Sequence, residues 1–143
     1  MEDEITFVTE FASKSEDRTE GEKFLRQGLN KFNYPFLGEH GSKLSIFAKR
    51  DEVIIGGAYS EKCSDAFYLR LLWIDDNYRT QGIGKKLLSL LDEEAHKEGI
   101  RKIFVDTYQF QAKEFYEKLE YKVIATVPEY ILGYDRFFFR KDL

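Results

Sequence analysis

The chain has 143 residues, 43% hydrophobic and 16% aromatic, which suits one domain with a real core and argues against disorder. A formal net charge of -4 with no basic run excludes an obvious nucleic-acid binder, and the lone Cys63 excludes an intrachain disulfide or a multi-cysteine metal site. With no stretch of membrane-spanning length and no signal-peptide core in its acidic start, the chain is expected to be cytoplasmic, without membrane or nucleic-acid partners.

Residues 5–11 alternate enough for a first strand, and residues 12–18 are polar and loop-like. Thr19 and Glu22 fit a capping box, with Glu22 reaching back. Phe24, Leu25, Leu29 and Phe32 then make an apolar helical stripe, weakened modestly by Gly28 and ended by Asn33, Tyr34 and Pro35. Residues 36–42 read as a loop containing His40. Residues 43–49 and 53–59 flank the turn at Arg50, Asp51 and Glu52 as a hairpin. Gly56 and Gly57 signal a bulge or a tight backbone approach. A turn near residues 60–65 leads into a strand at 67–74, broken by Asp75, Asp76 and Asn77. Leu87, Leu88, Leu91 and Ala95 follow at helical spacing, and Gly99 stops that helix. Residues 102–107 form a strand, and 111–119 a helix with Ala112, Phe115, Tyr116 and Leu119 on one face. Residues 121–127 form a strand, 128–134 a loop and 136–140 a last strand. The order is β-α-βββ-α-β-α-ββ, an α/β chain with a single domain over residues 1–143.

The informative stretch joins the strand at 67–74 to the long helix: Arg79, Thr80, Gln81, Gly82, Ile83, Gly84. Gly82 and Gly84 let a ligand come close to the backbone, and amides that open a helix favour an anion, so the stretch reads as a phosphate cradle. It is not a dinucleotide fingerprint, because Leu87 stands where the third glycine belongs. It is not a P-loop, because Arg79 replaces the first glycine and Lys86 the Ser or Thr. What remains is R-x-x-G-x-G between a strand and a helix.

With the downstream segment from Thr107 to Tyr121, TYQFQAKEFYEKLEY, this stretch resembles the GNAT superfamily of N-acetyltransferases, in particular small bacterial members. The likeness is strongest over residues 53–127. It implies a mixed, mostly antiparallel sheet flanked by helices, with two parallel strands that splay apart to admit acetyl-CoA. It implies an N-acetyltransferase in which a primary amine of a small molecule or protein attacks the thioester directly in a ternary complex. It implies that the loop from Arg79 to Lys85, by way of Thr80, Gln81, Gly82, Ile83 and Gly84, holds the CoA pyrophosphate. The pantetheine arm would lie along the main chain of Leu72, Trp73 and Ile74. Gln109 stands where many members have Asn, and Gln111 is the alternative cofactor contact. Tyr116 matches the general-acid tyrosine; read without the resemblance, it is a tyrosine on a packed helix face. The base is open among Asp106, His40 and a water chain, since the strand at 67–72 carries no acid. Glu120 replaces a glycine usual in the family. Acceptor recognition is expected from the N-terminal helix and loop (Phe32 to His40), Tyr108 and residues 127–134, where Tyr34, Phe36, Tyr130 and Tyr134 either form a rim or simply pack. No metal site is expected. The chain reads as a monomer or homodimer, and a non-catalytic acyl-CoA-binding sensor or interaction module is the alternative to an enzyme.

Overall fold

The computed structural model describes residues 4–11 and 17–143, apart from the side chain of His40. It contains two compact units, Met1–Phe36 and Leu37–Leu143.

In the first unit, helix α1 spans Glu20–Leu37. Thr19 caps it, its hydroxyl accepting from the Glu22 amide at 3.1 Å. The Glu22 side chain does not reach back: it accepts from Arg26 at 2.9 Å and pairs with Arg18 at 3.1 Å. The helix runs past the expected stop at Pro35. Proline gives up one backbone bond there, but its fixed φ suits a helix, and only Phe36 and Leu37 follow it. The expected loop at residues 36–42 is accordingly shortened. The expected first strand at residues 5–11 is not formed. That stretch is irregular, with Ile5 81% and Phe7 94% exposed. Alternation makes a strand only beside an edge that supplies backbone partners, and none of the described strands pairs with it. The polar loop read at residues 12–18 lies mostly outside the described residues, which omit 12–16.

The second unit is a six-stranded sheet in the order β1-β2-β3-β4-β6-β5. Its strands are β1 (His40–Arg50), β2 (Val53–Cys63), β3 (Ala66–Ile74), β4 (Lys102–Tyr108), β5 (Lys122–Ile131) and β6 (Tyr134–Asp142). Helix α2 (Ile83–Lys97) crosses over between β3 and β4, making them the parallel pair; the other neighbours are antiparallel. Helix α3 spans Lys113–Lys118 between β4 and β5. This is the expected α/β architecture without its first strand. A Cβ on Gly56 would lie 2.9 Å from the Trp73 carbonyl oxygen, and one on Gly57 2.8 Å from that of Ile46, so these glycines answer to tight strand approach. β5 continues to Ile131 through a break in register after Val127, where a loop was expected. The hairpin turns at Leu132 and Gly133, both at positive φ.

One face of the sheet is dry. Leu87, Leu88, Leu91 and Ala95 of α2 pack on it with Phe67, Leu69, Ile103, Val105 and Phe139. β6 is internal to the sheet, with Phe137 and Phe139 buried.

Both α2 and α3 end in the same cap, made with different residues. After α2, Gly99 is left-handed and the Ile100 amide bonds back to Ala95 at 2.9 Å. After α3, Glu120 takes φ +71, and the Tyr121 amide bonds back to Tyr116 at 3.1 Å. The rings of Tyr116 and Tyr121 touch, with centroids 5.5 Å apart, the apolar contact that accompanies such caps. The backbone therefore keeps the geometry that a glycine at position 120 would favour. Glu120→Gly should stabilise the protein by about 1 kcal/mol, because a side chain in the left-handed region costs about that much. Thermal unfolding of the variant checks this; a lower midpoint would contradict it.

Candidate active site

The parallel pairing of β3 and β4 covers only Ala66–Leu69 against Lys102–Val105. β3 goes on to Ile74 and β4 to Tyr108, so residues 70–74 and 106–108 part company. Arg70 is skipped in the register between β2 and β3, and this bulge accompanies the parting. The backbone edge of β3 beyond Leu69, including Leu72, Trp73 and Ile74, has no strand beside it toward β4. The side chains of Leu72 and Ile74 pack on the core, whereas Trp73 is 53% exposed.

From Ile74 the chain turns through one turn of 3-10 helix at Asp76–Tyr78, capped by Asp75, whose carboxylate accepts from the Asn77 amide at 2.9 Å. Asp75 and Asp76 are turn formers, as their sequence suggests. Arg79 folds back: its Nε donates to the Ile74 carbonyl at 3.1 Å and its guanidinium pairs with Asp76 at 3.0 Å. Its observed work is to brace the loop. Thr80 sits at φ +62, with its hydroxyl donating to the Arg79 carbonyl at 2.6 Å, and the Gln81 side-chain Nε2 donates to the Asn77 carbonyl at 3.5 Å.

Gly82 then opens α2 at φ +79, with no side-chain cap. The first bond of the helix runs from the Lys86 amide to the Gly82 carbonyl at 3.0 Å. The amides of Ile83, Gly84 and Lys85 precede that bond and have no partner within the helix. They carry the positive end of the helix dipole. Gly84 has a different role from Gly82. A Cβ there would lie 3.1 Å from both Ile74 and Phe115, so its small size seats α2 against β3 and α3.

On the other side of the gap, Tyr116 of α3 is buried, in ring contact with Phe115, Tyr121 and Phe139. Burial raises its pKa, and the charge of Asp106 adds to the rise. Gln109 and Gln111 have their side-chain oxygens committed to the chain. Gln109 accepts from the Asp135 amide at 2.6 Å, and Gln111 from the Tyr108 amide at 2.7 Å and the Thr107 hydroxyl at 3.1 Å.

Asp106 is the first residue of β4 beyond the paired segment and projects from the sheet face opposite the dry core. One carboxylate oxygen takes a 2.5 Å bond from the Tyr68 hydroxyl across the parting strands. The other accepts from Nε of Arg136 at 2.9 Å and also from its Nη2. Burial pulls the Arg136 pKa down, but the bond and charge of Asp106 outweigh it and the net shift is upward. Burial, then the bond to Asp106 and its charge, push Tyr68 up to about 12. Sequence reasoning found Asp106 but missed Tyr68 and Arg136. Strand alternation could have placed Arg136 on the Asp106 face, but only with the β4–β6 register in hand. His40 begins β1, and its side chain lies outside the described residues. A separate cavity of about 200 Å³, lined by Leu44, Lys62, Phe67, Glu94 and Glu98 among others, lies at the opposite end of β3 and α2.

The raised tyrosines carry a stability consequence. Tyr121 is also raised, by burial and then by the charges of Asp92 and Tyr116. A tyrosine whose folded pKa lies above its unfolded value of about 10 stabilises the fold fully below pH 10. That contribution is lost as pH climbs, for Tyr68 between about 10 and 12. The melting temperature should therefore hold up to about pH 10 and fall above it, less steeply in Tyr68→Phe. A midpoint unchanged through that window would contradict this reading.

No group of acids, histidines or cysteines among the described residues could hold a metal, and none of their helices is long and apolar enough to cross a membrane.

Comparison with known proteins bears on this geometry. The model of the acetyltransferase (GNAT) family matches residues 6–121. An acetyltransferase of Agrobacterium fabrum is 31% identical over 110 residues, 76% of this chain and 80% of that protein. The crystal structure of an acetyltransferase from Bacillus cereus superposes with a TM-score of 0.79 at 28% identity, covering 92% of this chain and 98% of that one. The PaiA N-acetyltransferase of Thermoplasma acidophilum, solved in complex with coenzyme A, shares the fold, with a TM-score of 0.60 at 21% identity over 87% of this chain and 72% of that one. With the family model spanning most of the sequence, and strands that part beside an open helix start, this chain belongs to the GNAT acetyltransferase family.

Proposed function

We propose that this end of the sheet binds acetyl-CoA and transfers its acetyl group to a primary amine, of a small molecule or a protein, by direct attack in a ternary complex. The observation that carries the reading is the trio of open amides at Ile83, Gly84 and Lys85, beside the gap where β3 leaves β4. Such amides suit a pyrophosphate, and the left-handed Gly82 keeps the approach clear of a side chain. The family match from residue 6 to 121 spans both units, which supports treating the chain as one functional domain.

When bound, the thioester supplies the acetyl group: the amine nitrogen forms a C–N bond, the C–S bond breaks and a thiolate leaves. The chain's residues do the rest. Leu72, Trp73 and Ile74 offer main-chain groups to the pantetheine arm along the free edge of β3. Arg79, Thr80 and Gln81 hold the loop in shape, and Lys85 adds positive charge. Gln109 and Gln111, their oxygens committed, offer their amide nitrogens. Tyr116 holds the proton that the thiolate takes, and its raised pKa keeps that proton in place at neutral pH. Both Asp106 oxygens are occupied, so Asp106 serves as a positioning residue for Tyr68 and Arg136, and water in the gap takes the amine proton.

The test is thiol release from acetyl-CoA with and without a broad panel of amines, with the product identified by mass. Release that depends on an amine and yields its acetamide supports the proposal. Donor binding with no turnover on any amine would favour the sensor reading instead.

A further inference from the structure

The parallel β3–β4 pair and the antiparallel β4, β6 and β5 bring four chain segments to one end of the sheet. These are the end of β3, the end of β4 with the turn into α3, the end of β5 and the start of β6. There the aromatic side chains form a connected array. Tyr108 stacks on Phe110, with planes 7° apart and centroids at 5.2 Å. Phe110 meets Tyr134 edge-on at 4.8 Å, and Tyr108 meets Tyr130 edge-on at 6.1 Å. Arg136 lies beneath, its guanidinium 4.8 Å from the ring centres of both Tyr108 and Tyr130 and bonded to the Tyr108 hydroxyl at 3.1 Å. Its positive charge is matched by Asp106 at the floor of the gap.

Two features distinguish this array from core packing. Its outer rings stay in water: Phe110 is 60% exposed, and Tyr130 and Tyr134 are each 44% exposed. Exposed aromatic faces gathered beside a cleft are apolar area available to a ligand. The charge beneath them is also cancelled locally, because Asp106 and Arg136 neutralise one another. The wall thus offers flat apolar faces above a matched charge pair, with the carboxylates of Glu129 and Asp135 beside it at the hairpin end. It is continuous with the gap through Tyr108 and Asp106 of β4.

We infer that the acceptor is an amine carried on a flat aromatic body, an arylalkylamine, whose ring packs against Phe110, Tyr130 and Tyr134 while its amine enters the gap between β3 and β4. The inference rests on the proposed acetyl transfer and names the acceptor class. Edge and stacking contacts orient the ring, and the alkyl spacer reaches past Tyr108. Phe110 and Tyr134 are specificity residues that touch the acceptor body and take no part in the chemistry.

The experiment compares phenylethylamine and tryptamine with spermidine and an aminoglycoside as acceptors, and measures tryptamine binding calorimetrically to the protein saturated with CoA. The aromatic amines should have the highest kcat/KM. Phe110→Ala and Tyr134→Ala should each raise their KM about tenfold, and weaken tryptamine binding similarly, with kcat and CoA affinity unchanged. Phe110→Tyr, which keeps the ring, should restore the wild-type KM. A preference for spermidine or the aminoglycoside, or alanine variants with unchanged KM and tryptamine affinity, overturns the inference and leaves the acetyl-transfer reading standing. No turnover on any amine, with tryptamine still held by the wild-type rings, would mark failure of the transfer reading instead.

Discussion

Gly82→Glu is expected to weaken acetyl-CoA binding by about a hundredfold or more. Two unit charges about 4 Å apart near a protein surface interact by roughly 4 kcal/mol, and the new carboxylate would stand at the mouth of the amide trio. The residue also sits at φ +79, which a glutamate adopts at a cost of about 1–2 kcal/mol. Gly82→Asn separates these effects. Asparagine tolerates the left-handed region and carries no charge, so it should lose far less affinity than glutamate, the remaining loss measuring the side chain placed in the approach. Nothing lies within 4 Å of a Cβ at this position, so neither variant crowds the fold. Titration calorimetry of the three proteins checks this; Gly82→Glu binding with wild-type affinity would place the pyrophosphate elsewhere.

Tyr116→Phe should lower kcat by about a hundredfold while leaving the donor's dissociation constant within error, since a positioned general acid is worth about that much. The ring contacts to Phe115, Tyr121 and Phe139 survive the change, so the helix should stay seated. Because burial lifts the Tyr116 pKa above the ordinary value of about 10, the hydroxyl keeps its proton throughout the neutral and mildly alkaline range. The rate should therefore show no alkaline fall from this group below about pH 10. Unchanged kcat in Tyr116→Phe would remove it from the chemistry and return it to the role its spacing alone suggests, a packed ring on a helix face.

How much of this was legible in the sequence depends on how local the cause is. α2 was readable because its stripe, its stop at Gly99 and its glycine start are all local. The strands at β3 and β4 were readable as apolar runs, and so was the loop between β3 and α2. The first strand failed because alternation at residues 5–11 describes a strand's faces but not its partner. The loop expected at residues 128–134 failed because Pro128 and a positive-φ Glu129 disturb a strand without ending it, and β6 still pairs with it at Ile131. In the site, Gly82 and Gly84 looked alike in sequence. Only the structure separates a glycine that a positive φ requires from one that Ile74 and Phe115 require. The Tyr68–Asp106–Arg136 contacts join residues 38 and 30 positions apart. No local pattern encodes them, since they follow from the register of three strands.

The central claim is that the open start of α2 and the free edge of β3 together hold an acyl-CoA. The most direct measurement is an amide chemical-shift map of isotope-labelled protein titrated with acetyl-CoA. The largest changes should fall on Gly82, Ile83, Gly84 and Lys85, with a second set at Leu72, Trp73 and Ile74. Saturating acetyl-CoA that leaves these amides unmoved, or moves chiefly the cavity residues around Lys62 and Glu98, would contradict the claim.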